Sequence, residues 1–140
     1  MIMDRTGLLS DRQAITATAA STNVIDLGAS ETPPYGTAFR RDIGRGTGIP
    51  LAFAVTDTFN NLTSLTVALQ VDDNEAFSSP KTVSTNTIAL ADLKPNGNFN
   101  IPDEIPNGTD ERFLRALYTV TGTAPTTGRV TLGVAAGTDQ

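Results

Sequence analysis

At 140 residues with a formal net charge of −5, the chain is long enough for one domain with a true core and too acidic to neutralise the phosphates of a nucleic acid. It has no cysteine and no histidine, which excludes disulfide staples, thiolate nucleophiles, Cys/His zinc sites and histidine-based triads, and leaves only carboxylate, Lys or Tyr chemistry. Trp is absent and Tyr numbers two, so the core has to be assembled from aliphatic side chains and six Phe.

Residues 1–9, MIMDRTGLL, lack the basic flank and long apolar run of a signal peptide, and no stretch is long enough to span a membrane, so synthesis and use without Sec export is expected. Ser10-Asp11-Arg12-Gln13 matches a Ser-x-x-Gln capping box, and Ala14, Ala17, Ala19 and Ala20 would suit a helix after it. The β-branched Ile15, Thr16 and Thr18 argue the other way, and favour a short turn followed by a strand over residues 13–19. Residues 23–27, NVIDL, give a second short strand closed by Gly28. The stretch 28–48 has no periodicity, stiffened early by Pro33-Pro34 and loosened later by Gly44, Gly46 and Gly48, and reads as a long loop. Residues 49–56 alternate Leu51, Phe53 and Val55 against Ala52 and Ala54, a strand with one large and one small face. A turn at 57–61, where Asn60 and Asn61 tolerate left-handed backbone, would join it to the next strand as an antiparallel hairpin.

That next strand is the clearest in the chain: Leu65, Val67, Leu69 and Val71 alternate with Thr66, Ala68, Gln70 and Asp72, the period of a strand with one buried and one wet face. The acidic run Asp72-Asp73-Asn74-Glu75, with Phe77 and Pro80, turns the chain into a Thr-rich strand over 82–90, in which Val83, Thr85 and Thr87 share a face. A single helical turn is expected over 89–93. Pro95-Asn96-Gly97 and Pro106-Asn107-Gly108 are turn signals on either side of a short strand marked by Phe99 and Ile101. Residues 112–120, RFLRALYTV, carry apolar side chains on both faces, Leu114, Ala116, Tyr118 and Val120 against Phe113 and Leu117, which predicts a central or interface strand. Val130, Leu132 and Val134 mark the last strand before a small-residue tail. About eight strands with little helix predict an all-β antiparallel sandwich spanning 1–140 as one domain, and the long connections favour a jelly roll over an immunoglobulin-type sandwich.

Few groupings carry chemistry. Gly44-Arg45-Gly46-Thr47-Gly48 has the composition of a phosphate loop, but Pro50 and a strand follow where a helix N-terminus would be needed, so it reads as a flexible loop. Arg40, Arg41 and Arg45 form the one basic cluster in an acidic chain and are the candidate partner-binding residues, able to meet an acidic surface. Asp72, Asp73, Asn74 and Glu75 are oxygen ligands in a row, yet the Gly and Glu spacing of an EF-hand is missing, and a solvated hairpin tip is expected. Asp103-Glu104 and Asp110-Glu111 could be imagined as a glycosidase pair, but without Trp to line a sugar cleft they read as turn residues. The sequons at Asn61 and Asn107 mean little without a secretory route. No catalytic residue, metal or cofactor is expected, and the chain is not expected to be an enzyme.

Two segments carry a family likeness: Ser21-Thr22-Asn23-Val24-Ile25-Asp26-Leu27-Gly28, and the strand from Leu65 through Val71 running into Asp72-Asp73-Asn74-Glu75-Ala76-Phe77. Both resemble the jelly-roll cement, or decoration, proteins of tailed double-stranded DNA phages, in particular the type found on Bordetella phage capsids. The similarity extends over most of the chain, including its opening and the RFLRALYTVTGTAPTTGRVTLGV end, and is weakest over 32–48. The resemblance implies a structural protein, made in the bacterial host cytoplasm, that adds to the outer surface of the icosahedral head and bridges major capsid subunits. It also implies dimers, where other decoration families form trimers, and no nucleic-acid or membrane partner. The competing expectations are a minor tail or adhesion component of the virion, and a carbohydrate-binding β-sandwich, for which only Tyr35, Tyr118 and a few Phe could supply an exposed sugar platform.

Overall fold

The computed structural model describes residues 3–28, 34, 36, 49–97, 99, 104–106 and 109–135, with side chains from residue 5 onward. Eight strands and a single 3₁₀ turn make up the described fold: β1 (Met3–Ala14), β2 (Ala19–Ala20), β3 (Ile25–Asp26), β4 (Leu51–Asp57), β5 (Leu62–Asp72), β6 (Lys81–Ala89), the turn Leu90–Asp92, β7 (Phe113–Gly122) and β8 (Arg129–Ala135). All pairings are antiparallel, in two sheets ordered β1-β8-β4 and β2-β7-β5-β6, with β3 continuing the lane of β2 along β7. The chain passes back and forth between the sheets: β1 in the first, β2 and β3 in the second, β4 in the first, β5 and β6 in the second, β7 in the second, β8 in the first. Before β7, Glu104 bridges to Pro50 at the start of β4, and Ile105 N–H donates to Ile49 C=O at 2.9 Å. This succession is the jelly roll expected from the strand count.

The core lies between the sheets and follows the periodicity of the sequence. Leu65, Val67, Leu69 and Val71 of β5 sit opposite Val120, Tyr118, Ala116 and Leu114 of β7, and meet Val130 and Leu132 of β8, Leu51 and Val55 of β4, and Leu9 of β1 across the sandwich. β7 is central, as its two apolar faces predict, with Leu114, Ala116 and Tyr118 fully buried. The Pro95-Asn96-Gly97 turn also forms as expected: Asn96 takes φ of 62°, and Gly97 N–H donates to Lys94 C=O at 2.9 Å.

Two expectations fail. β4 and β5 are not a hairpin: β4 pairs with β8, Leu51 opposite Val134 and Phe53 opposite Leu132, whereas β5 pairs with β6 and β7. Residues 57–61 do turn, with Asn61 at φ of 69°, but they carry the chain from one sheet to the other. The cause is Phe59, which is buried, donates its N–H to Leu93 C=O at 3.0 Å and packs where a Cβ on Gly128 would collide with its ring. Alternation sets which face of a strand is buried and says nothing about its partner. The second failure is at residues 10–19, where a turn and then a strand were expected. β1 runs through this region to Ala14, and the chain bends at 16–18 before β2. Ser10 and Gln13 span a bulge: Ser10 pairs with Leu132 and Gln13 with Val130, so an extra residue is accommodated with Arg12 at φ of 48°. The Ser10 hydroxyl donates to Gln13 Oε1 at 2.7 Å within a strand, so the pair that resembles a helix cap serves a β-bulge.

Candidate functional site

The acidic turn between β5 and β6 differs most from its expected character. Asp72 ends β5 with no exposed surface, while Asp73, Asn74 and Glu75 are exposed. Asp72 Oδ2 accepts Ser79 N–H at 2.8 Å and Oδ1 accepts Asn74 N–H at 3.1 Å, so one carboxylate closes the loop from both sides. The Ser79 amide, against the opposing effect of burial, holds the Asp72 carboxyl below its ordinary value, and its neighbour Asp73 is pushed up by its hydrogen bond to that carboxylate and then by the carboxylate's charge. Within the loop Ala76 N–H donates to Asn74 Oδ1 at 2.9 Å, and Phe77, at φ of 52°, turns back over the sheet. There the Arg115 guanidinium lies 4.2 Å from the Phe77 ring centre and donates twice to Gln70 Oε1, at 3.0 and 3.1 Å. The hairpin tip is thus a built cover over the outer face of β5 and β7, with Asp72 and Phe77 buried beneath it and the rest of the loop facing water.

The other acidic groups fall in different places. The carboxylates of Asp72, Asp73 and Glu111 lie within 4.8 Å of one another, but the Asp72 oxygens are already engaged by backbone amides. Asp110 pairs with Lys81 at 3.0 Å, and Glu104 forms a backbone bridge to Pro50 at the start of β4. Asp103 and the basic cluster Arg40, Arg41 and Arg45 lie outside the described residues, as do the glycine-rich run 44–48, Tyr35 and the sequon Asn107.

Tyr118 cannot serve a sugar platform. It is fully buried, and its hydroxyl lies 2.7 Å from Ser10 Oγ, completing a chain that passes through the Ser10 hydroxyl to Gln13 Oε1. Gln13 also accepts from Thr22 N–H at 3.0 Å and donates through Nε2 to Ala20 C=O at 2.9 Å. Burial pushes the Tyr118 hydroxyl up to about 12, partly offset by the Ser10 hydrogen bond. The network ties β1, β2 and β7 together at one corner of the sandwich. Ser10 and Tyr118 lie 108 positions apart, and nothing in the local sequence signals their meeting.

Beside that corner an open cleft of about 740 Å³ runs between β1 and the β2–β3 connection, with Arg5, Asp11, Thr22, Asn23 and Glu75 on its walls. The described residues lining it include no aromatic side chain, so it lacks the stacking surface a sugar would use. Its mixed charge and polar walls suit contact with another polypeptide better than a small apolar ligand. No helix among the described residues is long and apolar enough to cross a membrane.

No curated protein matches the chain. The Bbp16 family model matches residues 9–134, from the end of β1 that carries Ser10 to the last pairs of β8, and so takes in both sheets. A match over about nine-tenths of the length, with the jelly-roll fold in hand, places the chain in the Bbp16 family and makes it a phage-related protein.

Proposed function

We propose that this protein is a cement protein, bound as a homodimer to the outer surface of an icosahedral phage head, where it bridges major capsid subunits and has no enzymatic role. The observation that carries the reading is the Bbp16 family match over residues 9–134 on a jelly-roll sandwich. Supporting it, the chain lacks the histidine and cysteine on which most neutral-pH catalysis relies, and its second tyrosine, Tyr118, is locked in the core. A clamp of this kind needs no single tight contact, since an ordinary interface of about 1,600 Å² repeated over the shell stabilises it collectively. Arg40, Arg41 and Arg45 are the proposed contact to an acidic capsid surface.

Copy number in purified virions is the first test. A cement protein is present in amounts comparable to the major capsid protein, whereas a tail or adhesion component is present at far fewer copies, and the latter result would overturn the reading. Heads lacking the protein should release DNA at a lower temperature than decorated heads. Replacing Arg40, Arg41 and Arg45 together with Glu should weaken binding to expanded empty heads, and undiminished binding would remove the cluster from the interface.

A further inference from the structure

A sheet edge presents a row of backbone N–H and C=O groups that can accept another strand, and folded proteins blunt such edges with short strands, bulges, charge or cover. Among the described residues, three of the four edges are blunted. β1 is interrupted by register shifts, and its flank is bonded by Asn23 N–H to Leu9 C=O at 3.0 Å and by Gln13 Nε2 to Ala20 C=O. β4 is met at its start by Glu104 and Ile105, and Phe99 packs edge-on against Phe53. β2 and β3 are two residues each. β6 is different. It has nine residues, it is outermost in its sheet, and among the described residues β5 is the one strand that pairs with it. Its register shifts once, around Val83, and beyond that point residues 84–89, STNTIA, carry neither charge nor proline, with Thr85, Thr87 and Ala89 exposed.

We propose that residues 84–89 of β6 form a strand-addition site whose occupant is the same stretch of a second copy, joined antiparallel about a two-fold axis near Asn86. The stretch is self-complementary for this joint. Antiparallel pairing sets residues of one face opposite residues of the same face. An axis at Asn86 therefore sets Thr85 against Thr87 of the partner subunit, and Thr87 against Thr85 of the partner subunit. Within one chain the ladder already sets Thr66 opposite Thr87, their hydroxyls 3.1 Å apart, so the joint continues a row of threonine pairs on one face. Lys81, the single charge of β6, lies before the shift and meets no like charge at the axis. A two-fold joint also closes on itself: it uses the β6 edge of both copies, so that this edge does not propagate. An unrelated extended peptide could use the same backbone groups, but the two-fold match of the side chains favours a second copy. The inference rests on the homodimer of the proposed function and deepens it by placing the joint, while head binding is a separate property, since a protein joined in this way need not bind heads.

Sedimentation of the full chain over a concentration series should show a dimer, and Thr85→Lys with Thr87→Lys, at exposed positions that set like charges opposite one another across the joint, should raise its dissociation constant about tenfold or more. Far-ultraviolet circular dichroism of the variant should match the wild type. Hydrogen exchange on the wild type gives a readout independent of any variant's folding: amides of 84–89 should slow as concentration rises, while those of β1 should not. A wild-type chain that stays monomeric at every concentration overturns the proposal. So does a dimer that survives the double substitution, or one whose β6 amides ignore concentration, and each of these results leaves head binding to be judged on its own measurements.

Discussion

The two faces of the β5–β7 pair are built from alternate residues of the same strands, yet they are buried by different means. On the inner face Leu65, Val67, Leu69 and Val71 are covered by the opposite sheet, and any comparable aliphatic set would be buried there. On the outer face Gln70 and Asp72 are only 7% and 0% exposed, although both are polar and sit where the alternation places water. They are covered because Asp72 fastens the 73–80 loop, and the loop sets Phe77 against Arg115. Periodicity makes the first kind of burial, and a handful of directed hydrogen bonds makes the second.

Breaking the inner face should give the largest effect. Leu65→Ala removes a fully buried side chain between the sheets and should cost about 3 kcal/mol, read as a shift of the denaturant midpoint with unchanged slope. On the outer face the effect should depend on which acid is removed. The Asp72 carboxylate is held below its ordinary value, so its stabilising contribution is present above that value, 3.8, and is lost as pH falls through the depressed one. Asp72→Ala should therefore lower the melting temperature at neutral pH and flatten acid denaturation. Asp73 has the opposite sign, being pushed up by Asp72, so its ionised form works against the fold. Asp73→Asn should raise the melting temperature at neutral pH, and equal effects from the two substitutions would contradict the assigned closure of the loop.

The same contrast explains what the sequence reveals. Alternation at Leu65 through Val71, the doubly apolar run around Leu114 to Tyr118, and the Pro95-Asn96-Gly97 turn are local patterns, and each forms where expected. Strand pairing is not local. The turn at 57–61 is real, but whether it returns the chain to its own sheet depends on Phe59 finding Leu93 and Gly128. The acidic run was legible as a loop, but the closure of Asp72 comes from an amide seven positions away, and Gln70 beside it is held by Arg115, which lies on another strand. Ser10 and Gln13 were legible as a hydrogen-bonding pair at the right spacing, though not as a bulge serving Tyr118. The Arg40, Arg41 and Arg45 cluster lies outside the described residues and rests on composition.

Tyr118 offers a smaller and sharper probe, because it places a polar bond on the apolar face. Tyr118→Phe keeps the ring and removes one buried hydrogen bond, which should cost about 1 kcal/mol at neutral pH. Its pH signature is separate. Below pH 10 both folded and unfolded chains keep the proton, and between 10.0 and about 12 the unfolded chain loses it first, so wild-type stability should fall through that window. Urea midpoints measured along the pH axis should show this decline in the wild type and lose its Tyr118 component in the variant.

The smallest expected effect lies at the more exposed end of the outer face, where none of the described loops covers the strands. Thr66 and Thr87 stand opposite each other with their hydroxyls 3.1 Å apart. A double-mutant cycle of Thr66→Val and Thr87→Val, measured at high dilution to keep any second copy away from β6, should give a coupling of about 0.3 kcal/mol. Valine keeps the β-branched shape, so the cycle isolates the hydroxyl contact from strand propensity. A measurable coupling would mean that side-chain pairing holds the outer face even where water reaches it. A coupling of zero would mean that backbone ladders alone carry this end of the sheet, leaving its threonine hydroxyls unspent for whatever strand is added at the β6 edge.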